Sequence, residues 1–310
     1  MRGEFFAPGS RVLRPNWART LCWIVEESPK REEPPMCRMI AYASPTTHAI
    51  LDLFHPEEFA QFEFLSDLHG DGWGMAWLTG DATPRVESTR SVISAFKDEQ
   101  FKEFAATPLG RAGMAHIRLA SPGFAVNVEN NHPFVVGRWA FAHNGSIPHS
   151  ERLLDLLSEE SLSRLNADTD SKRYFLLVLQ RIEELGDVAA GFRHAIKEIR
   201  THCRVGGLNA LLLSDDVLIG VQAQGETKPP MKHLLELVER PEDLPPGHDE
   251  TYYHLHYAHR GDAIVIASSA ILDEGCESVP DGSMIAVDLE TNYVSVTTLE
   301  TPKELAGFAL

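Results

Sequence analysis

The sequence has few cysteines, and their spacing matches no known disulfide or metal-binding motif. The 310 residues include four, Cys22, Cys37, Cys203 and Cys276, and no two of them form a C-x-x-C pair. A disulfide framework needs more cysteines at closer spacing, and a zinc ribbon or a dithiol redox site needs such pairs. These classes are therefore excluded, and we expect a reducing, cytoplasmic compartment.

Long apolar runs and an excess of basic residues are also missing. No stretch approaches the roughly 18 apolar residues that span a bilayer, and the run from Leu21 to Val25 is shorter than the core of a signal peptide. Lys and Arg total 28 against 45 Asp and Glu, so the formal net charge is −17. Because such a surface repels phosphate backbones and anionic headgroups, we expect neither nucleic acid nor a membrane as a partner.

What the sequence does contain is an ordered series of elements that starts after residue 36. Residues 1–35 carry five prolines and no sustained periodicity, so we do not expect them to join a core. Helical spacing is predicted at 50–65 and across 150–202, and strand-length apolar runs at 39–43, 73–78, 113–119, 138–142, 208–213, 217–222, 252–256, 263–267, 284–288 and 293–297. Strands, then helices, then strands predict an α+β protein with mainly antiparallel pairing.

Polar clusters stand at the ends of several of these strands, where a scaffold presents functional groups on loops. Each has a plain structural explanation when taken singly. The glycines of HGDGWG at 69–74 lack the dinucleotide-loop spacing, and no helix follows them. Asn144-Gly145 is the usual hairpin-turn dipeptide, and pairing with a carboxylate explains Arg118 in HIRLAS at 116–121. No one of these motifs identifies a function by itself.

Cys37 changes the interpretation because Met36 precedes it directly. If Met36 is an initiator methionine that is removed, Cys37 becomes an N-terminal cysteine. Such a residue carries a thiol nucleophile and a free α-amine with a pKa near ~7.7–8, so the amine takes the thiol proton and no separate histidine base is required. The alternative is an ordinary buried structural cysteine.

From Cys37 to about Asp288 the sequence resembles the class II glutamine amidotransferases of the N-terminal nucleophile hydrolase superfamily, in particular their short stand-alone branch. Six motifs carry the resemblance in the family order: MCR at 36–38, HGDGWG at 69–74, HIRLAS at 116–121, NHPF at 131–134, HNGS at 143–146 and DTD at 168–170. The resemblance implies a four-layer αββα sandwich, in which two mainly antiparallel sheets lie between helices. It implies no cofactor.

The resemblance also implies a catalytic set. Cys37 matches the cysteine that attacks the γ-carboxamide of glutamine and forms a γ-glutamyl thioester, with release of ammonia or an amine before water completes the hydrolysis. The side-chain amide of Asn144 and the backbone N–H of Gly145 match the oxyanion hole, which donates to the tetrahedral intermediate. A side chain at Gly145 is expected to crowd the substrate.

Three further residues match substrate-binding positions of the family. Arg118 matches the arginine that grips the substrate α-carboxylate as a planar fork, and Asp168 matches the acid that accepts from the α-ammonium. His132 matches a histidine near the nucleophile. The small-molecule partner implied by this set is glutamine or a γ-glutamyl compound.

The chain departs from the family pattern at its start. While a peptide bond joins Met36 to Cys37, the α-nitrogen is an amide and is not a base. We therefore expect that residues 1–36 are an extension, through a wrongly assigned start or as a propeptide, and are absent from the mature enzyme. The amidotransferase domain is then 37–310. Its roughly 270 residues leave no room for a synthase domain, so any ammonia acceptor is a separate partner subunit.

Several alternatives stay open at this point. The sequence does not choose between free glutamine and a γ-glutamyl conjugate as the substrate. A catalytically silent subunit that uses the glutamine pocket for binding or assembly is a second hypothesis. His254, His256 and His259 form H-x-H-x-x-H, the pattern of a third, metal-dependent hydrolase. Because His259 lies past the end of the predicted strand and no acidic ligand shares that strand, we expect no metal site.

Overall fold

A computed structural model describes residues 37–299, apart from 81, 121–123, 225–227, 230, 237, 239, 242–243, 245 and 273–274. The interpretation of residues 1–36 as an extension lies outside these described residues. The strands are β1 (Arg38–His48), β2 (Trp73–Thr79), β3 (Val86–Ser91), β4 (Gly110–Ile117), β5 (Phe134–Val136), β6 (Trp139–Gly145), β7 (Leu208–Leu213), β8 (Val217–Gln222), β9 (Leu255–Arg260), β10 (Ala263–Ser268), β11 (Glu277–Ser278), β12 (Ser283–Asp288) and β13 (Val294–Thr298).

Helices of varied length connect these strands. They are α1 (Pro56–Leu68), α2 (Glu99–Ala106), α3 (Glu159–Ser163), α4 (Asp170–Leu185), α5 (Val188–His202) and α6 (Met231–Glu236), with 3-10 helices at Ile50–Leu53 and Ser150–Leu156. Across the described part of the chain, no helix combines the length and the apolar character that crossing a bilayer requires.

Within the described residues the strands form two sheets, and every pairing is antiparallel. The first sheet has the order β11-β9-β10-β1-β4-β2-β3, and the second has the order β13-β12-β8-β7-β6-β5. The antiparallel pairing inferred from the succession of short strands is therefore confirmed.

The side-chain alternation of β1 shows how the layers are built. Met39 and Ala41 point into a core between the two sheets, whereas Ile40 and Tyr42 point to the opposite face, where α1 and α2 pack. Successive side chains of a strand face opposite ways, so a strand buried on both faces is continuously apolar. A third core lies between the second sheet and the helices α4 and α5. The four-layer αββα sandwich is confirmed.

One predicted strand lies elsewhere along the chain. The apolar residues at 252–256 predict a strand, but β9 begins at Leu255 and runs to Arg260. Tyr252 and Tyr253 precede it as a buried aromatic pair. The Tyr252 carbonyl accepts a hydrogen bond from Arg38 at 3.1 Å, and the Arg38 guanidinium lies 3.6 Å from the Tyr252 ring centroid. Tertiary packing against a buried cation therefore displaced the start of this strand.

Antiparallel pairing brings together the ends of the strands that carry the candidate site residues. The start of β1 lies beside the end of β4, because Arg38 is opposite Ile117, and the end of β4 also lies beside the start of β2, because Trp73 is opposite Ile117. Cys37 and Arg118 directly flank this pairing. The polar clusters that the sequence places at separate strand ends therefore meet at one end of the first sheet.

Candidate active site

Cys37 lies directly before β1 and is 8% exposed. Its sulfur contacts the backbone of Leu119 twice: the Leu119 N–H donates to Sγ at 3.5 Å, and Sγ lies 3.8 Å from the Leu119 carbonyl oxygen. The Cys37 backbone nitrogen donates to Asn144 Oδ1 at 3.2 Å. The segment that follows β4 of the first sheet therefore contacts the Cys37 sulfur, and Asn144 of the second sheet contacts the Cys37 nitrogen.

Burial raises the pKa of the Cys37 thiol to about 11. The Leu119 hydrogen bond and the Arg118 charge lower this pKa, and the carboxylates of Asp71 and Asp170 raise it further. Desolvation is the largest of these effects, because a buried thiolate loses its hydration. At neutral pH the sulfur therefore keeps its proton, and nucleophilic attack requires a base.

Asn144 and Gly145 are the last residues of β6, and both pair with β7. The hairpin-turn explanation of this dipeptide is therefore wrong. A Cβ atom at Gly145 would lie 2.1 Å from the carbonyl oxygen of Gly207. The close approach of that backbone is sufficient to require glycine here. Because Asn144 Oδ1 faces the Cys37 nitrogen, its Nδ2 is the end of the amide that donates elsewhere.

Arg118 directly follows β4 and is 4% exposed. Its guanidinium donates to Asn131 Oδ1 at 3.1 Å and to the carbonyl oxygen of Ala125 at 3.3 Å. Both acceptors are neutral, and burial lowers the pKa of the guanidinium. The nearby charges of Asp71 and Asp170 raise this pKa and compensate the cation in part. A ligand carboxylate would add charge-assisted hydrogen bonds, which are stronger than those to the two neutral oxygens.

Asp168 does not line the pocket that contains Cys37. Its side chain is 88% exposed and pairs with Arg173, and it lines a separate adjoining cavity of about 430 Å³. Asp170 lies in the pocket instead and is 5% exposed. The physical reason is the start of α4: Thr169 caps the helix, so Asp168 stays outside it, while Asp170 turns inward in the first helical turn.

Asp170 is fixed by backbone donors on both of its oxygens. Oδ2 accepts from the Ile147 N–H at 2.8 Å, and Oδ1 accepts from the Ser171 N–H at 2.7 Å. These two hydrogen bonds hold the carboxylate at the first turn of α4, where the backbone N–H groups have no partner within the helix. Of the two acids of the DTD motif, the second therefore lines the pocket that contains Cys37, and the first lines the adjoining cavity.

His132 lines the same pocket and is buried. Its ring centroid is 4.4 Å from that of His116 and 4.6 Å from that of Phe134. Burial and the neighbouring charges hold its pKa well below the usual value. Neither ring nitrogen has a hydrogen-bond partner among the described residues. The imidazole is therefore neutral and has hydrogen-bonding capacity left for a ligand.

These groups share one pocket. Its lining includes Cys37, Arg118, His132, Gly145 and Asp170. Such a pocket offers a thiol, a backbone N–H beside a carboxamide, one buried cation and one buried carboxylate. That arrangement suits covalent catalysis on the carbonyl group of a zwitterionic amino acid.

The histidines of H-x-H-x-x-H lie away from this lining. The ring centroids of His254 and His256 are 6.3 Å apart, and His256 is on β9 while His254 precedes it. Among the residues that the structure describes, no group of three or more His, Cys, Asp or Glu is arranged to hold a metal ion.

Sequence reasoning missed the contribution of Leu119. Its N–H and C=O groups both contact the sulfur, but an apolar side chain gives no signal for a function of its backbone. The position of Leu119 within HIRLAS was the only available indication.

Comparisons with known proteins agree on one family. The family model described as glutamine amidotransferases class-II matches residues 36–241. A Haemophilus influenzae protein assigned to the glutamine amidotransferases is 30% identical over 124 residues, which cover 39% of this chain and 40% of that protein. A gamma-glutamyl-hercynylcysteine sulfoxide hydrolase of Mycobacterium tuberculosis is 32% identical over 80 residues, 26% of this chain and 33% of that protein. The chain thus spans less than half the length of these relatives.

Solved structures share the fold at lower sequence identity. A glutamine aminotransferase class-II domain protein from Silicibacter pomeroyi has a TM-score of 0.56 at 19% identity and covers 86% of this chain and 100% of that one. A glutamine phosphoribosylpyrophosphate amidotransferase from Bacillus subtilis has a TM-score of 0.53 at 14% identity, with 86% and 50% covered. These likenesses establish the fold.

Proposed function

The chain belongs to the class II glutamine amidotransferases, and on that premise we propose that it cleaves the γ-amide bond of glutamine or of a γ-glutamyl compound through a thioester on Cys37. One observation carries the proposal: the Cys37 thiol, the Asn144-Gly145 strand end and the Arg118 guanidinium converge at a single pocket. Acyl transfer by covalent catalysis needs such a set, namely a nucleophile, oxyanion donors and a group that fixes the substrate.

In the proposed reaction the Cys37 sulfur attacks the γ-carbonyl carbon, and its proton passes to the α-amine of the same residue. The carbonyl oxygen becomes an oxyanion, which accepts hydrogen bonds from Asn144 Nδ2 and the Gly145 N–H. When the carbon–nitrogen bond breaks, the leaving nitrogen takes that proton and departs as ammonia or a primary amine. Water then attacks the thioester, which yields the γ-carboxylate and restores the thiol.

The contact between the Cys37 nitrogen and Asn144 Oδ1, at 3.2 Å, supports separate roles for the oxygen and the nitrogen of the Asn144 amide. One end of the Asn144 side chain orients the base, and the other end is directed to the oxyanion. A single rotation of this amide would remove both functions. The residue therefore couples the position of the base to that of the oxyanion hole.

The amino-acid end of the substrate is assigned to three residues. Arg118 binds the α-carboxylate, for which its guanidinium has no anionic hydrogen-bond partner among the described residues. Asp170 takes the role in binding the α-ammonium that the sequence analysis gave to Asp168, because only Asp170 lines the pocket. His132 offers an unpaired ring nitrogen on the same lining.

Two substrate classes fit this assignment. Free glutamine releases ammonia, which a separate partner subunit would consume. A γ-glutamyl conjugate releases a larger amine, and the likeness to the M. tuberculosis gamma-glutamyl-hercynylcysteine sulfoxide hydrolase supports this second class. A catalytically silent binding subunit is the alternative, and comparing turnover with binding on the same preparation separates it from either enzyme.

Replacing Asn144 with alanine is expected to lower kcat by about a hundredfold or more, with little change in KM. The reason is that its amide meets an oxyanion that exists only in the transition state. Steady-state kinetics of glutamine hydrolysis measure the two constants separately. A large rise in KM with unchanged kcat would contradict the assignment of Asn144 to the oxyanion hole.

Substituting each acid of the DTD motif tests whether Asp168 or Asp170 binds the α-ammonium group. Asp170→Asn is expected to raise KM for glutamine about tenfold or more, because it removes the charge opposite the ammonium group. Asp168→Asn is the matched control and is expected to change KM by less than about twofold, since an exposed ion pair contributes little. Arg118→Ala should raise KM as Asp170→Asn does. A larger effect at Asp168 than at Asp170 would restore the original assignment.

A further inference from the structure

The turn between α1 and β2 is hydrogen-bonded to the segment that follows β4. The Asp71 N–H donates to the carbonyl oxygen of Arg118 at 3.1 Å, and the Arg118 N–H donates to the carbonyl oxygen of Gly72 at 2.8 Å. Two residues further on, Asp71 Oδ2 accepts from the Ala120 N–H at 2.7 Å. The segment Arg118, Leu119, Ala120 is therefore held at both of its ends, and the second hold is through a carboxylate.

This held segment carries two parts of the site. Its middle residue, Leu119, supplies the N–H and the C=O that contact the Cys37 sulfur at 3.5 and 3.8 Å. Its first residue, Arg118, supplies the buried guanidinium. Any displacement of the segment would move both the hydrogen bonds to the sulfur and the cation assigned to the substrate carboxylate.

The turn that presents Asp71 is itself fixed by close packing. Gly72 has φ of +118°, a conformation that L side chains rarely adopt. A Cβ atom there would lie 2.3 Å from the carbonyl oxygen of Ser91 and 2.4 Å from Asn131 Nδ2. The turn therefore requires glycine directly after Asp71, with the Ser91 backbone and the Asn131 side chain packed against it.

The charge of Asp71 does not help the nucleophile to ionise. Its carboxylate raises the pKa of the Cys37 thiol, since a nearby negative charge opposes formation of a thiolate. For the thiol, an acidic residue at this position therefore has an electrostatic cost, whereas the same charge favours the Arg118 guanidinium. The hydrogen bond to Ala120 gives the carboxylate a positional function besides this charge.

We propose that Asp71 is a positioning residue for the nucleophile and the substrate cation, and that its bond to the Ala120 N–H holds the Leu119 N–H against the Cys37 sulfur and Arg118 against the pocket. The inference rests on the proposed function, because Cys37 is the nucleophile only in that reaction. Asp71 touches neither the reacting atoms nor the substrate in this role, and it acts through the segment that it holds.

The test compares two neutral substitutions in the full chain. Asp71→Asn removes the charge and keeps an oxygen that can accept from Ala120, whereas Asp71→Ala removes both. The difference between them therefore isolates the hydrogen bond. Asp187, which accepts from the Ala190 N–H at 2.6 Å to cap α5 outside the pocket, provides the matched control pair Asp187→Asn and Asp187→Ala.

Two readouts are measured on each variant. The first is the rate of Cys37 alkylation by iodoacetamide as a function of pH, followed by mass spectrometry of the peptide that contains Cys37. The second is KM and kcat for glutamine. The charged and titratable groups that face the thiol are Asp71 before β2, Arg118 after β4, Asp170 on α4, Arg38 on β1 and Tyr252 before β9. Each Asp71 variant changes only the first of them, and the Asp187 variants change none.

We expect Asp71→Asn to lower the midpoint pH of alkylation by about half a unit, because one opposing charge is gone. Asp71→Ala should have a midpoint at least about half a unit above that of Asp71→Asn, because the thiolate also loses the Leu119 N–H. KM should rise about tenfold in Asp71→Ala and be largely restored in Asp71→Asn. Both Asp187 variants should match the wild type.

Equal midpoints and equal KM values in the two Asp71 variants would overturn the proposal, since the carboxylate would then act by its charge alone. An Asp71→Ala midpoint clearly below that of the Asp187 variants would overturn it as well, since losing the hydrogen bond would then not offset losing the charge. Thermal unfolding is measured for every variant, and Asp71→Ser, whose hydroxyl is too short to replace the carboxylate, takes the place of Asp71→Ala if alanine prevents folding. Alkylation does not require glutamine, so a failure of the proposed hydrolysis leaves this arm decisive.

Discussion

Replacing Cys37 with alanine is expected to lower glutamine hydrolysis by at least about a thousandfold while leaving glutamine binding in place. The loss is large because the thioester cannot form without the sulfur, and water is a poor substitute. Binding persists because Arg118 and Asp170 still offer a cation and a carboxylate to the two ends of the amino acid. Turnover assays and calorimetric titration of the inactive variant measure the two properties separately.

Cys203 is the matched control for this prediction. It is 9% exposed, burial raises the pKa of its thiol, and its sulfur lies 3.7 Å from the carbonyl oxygen of His149, so its surroundings resemble those of Cys37. It lies outside the lining of the pocket. Cys203→Ala should keep full activity, and an electrophilic glutamine analogue should add one covalent equivalent at Cys37. Labelling of Cys203 would overturn the assignment of the nucleophile.

Exposing the α-amine of Cys37 is expected to raise turnover about a thousandfold over the chain that retains residues 1–36. Burial holds the pKa of the thiol at about 11, so the thiolate is scarce at neutral pH and a base must remove its proton. In the longer chain the Cys37 nitrogen is an amide. In a chain that begins at Cys37, we expect Asn144 Oδ1, which accepts from the Cys37 N–H at 3.2 Å in the longer chain, to orient the free amine beside the sulfur.

The activity of the chain that begins at Cys37 should also depend on pH in a defined direction. The amine is a base only when it is unprotonated, so activity of the chain that begins at Cys37 should rise with pH through about 8, the range of an ordinary α-amine. Acetylating that amine should return the rate to that of the longer chain. If the longer chain is labelled by the glutamine analogue as fast as the chain that begins at Cys37, the amine mechanism is wrong. If neither chain turns over glutamine but both bind it, the silent-subunit hypothesis is favoured.

The sequence predicted the strands of both sheets better than the connections between them. The apolar run at 39–43 predicts β1 because both of its faces are buried, and the runs at 208–213 and 217–222 predict β7 and β8 at their observed bounds. β3 was missed, since VESTRS has no apolar alternation and is only half-buried at the sheet edge. α2 was missed because eight residues are too few to establish a helical period.

Within the site, the sequence indicated the groups that are chemically distinctive. A cysteine, an arginine in an apolar strand and an Asn-Gly dipeptide all stand out from their neighbours. Asp168 and Asp170 do not differ in this way, because both are acids beside the same helix start. Only the packing of α4 next to Ile147, whose N–H donates to Asp170 at 2.8 Å, decides which carboxylate faces the pocket.

The sequence by itself determined an α+β protein with mainly antiparallel strands, because hydrophobic periodicity is visible in the residues. The resemblance of six motifs to the class II glutamine amidotransferases implied the four-layer sandwich and Cys37 as the candidate nucleophile. Only the tertiary structure decided which backbone N–H donates to the Cys37 sulfur and which carboxylate accepts from the neighbouring N–H of the same segment. The Ala120 N–H and Asp71 are 49 residues apart, and the Leu119 N–H and Cys37 are 82 apart. A backbone N–H is the same group at nearly every position of the chain, so its function is fixed by the fold that surrounds it.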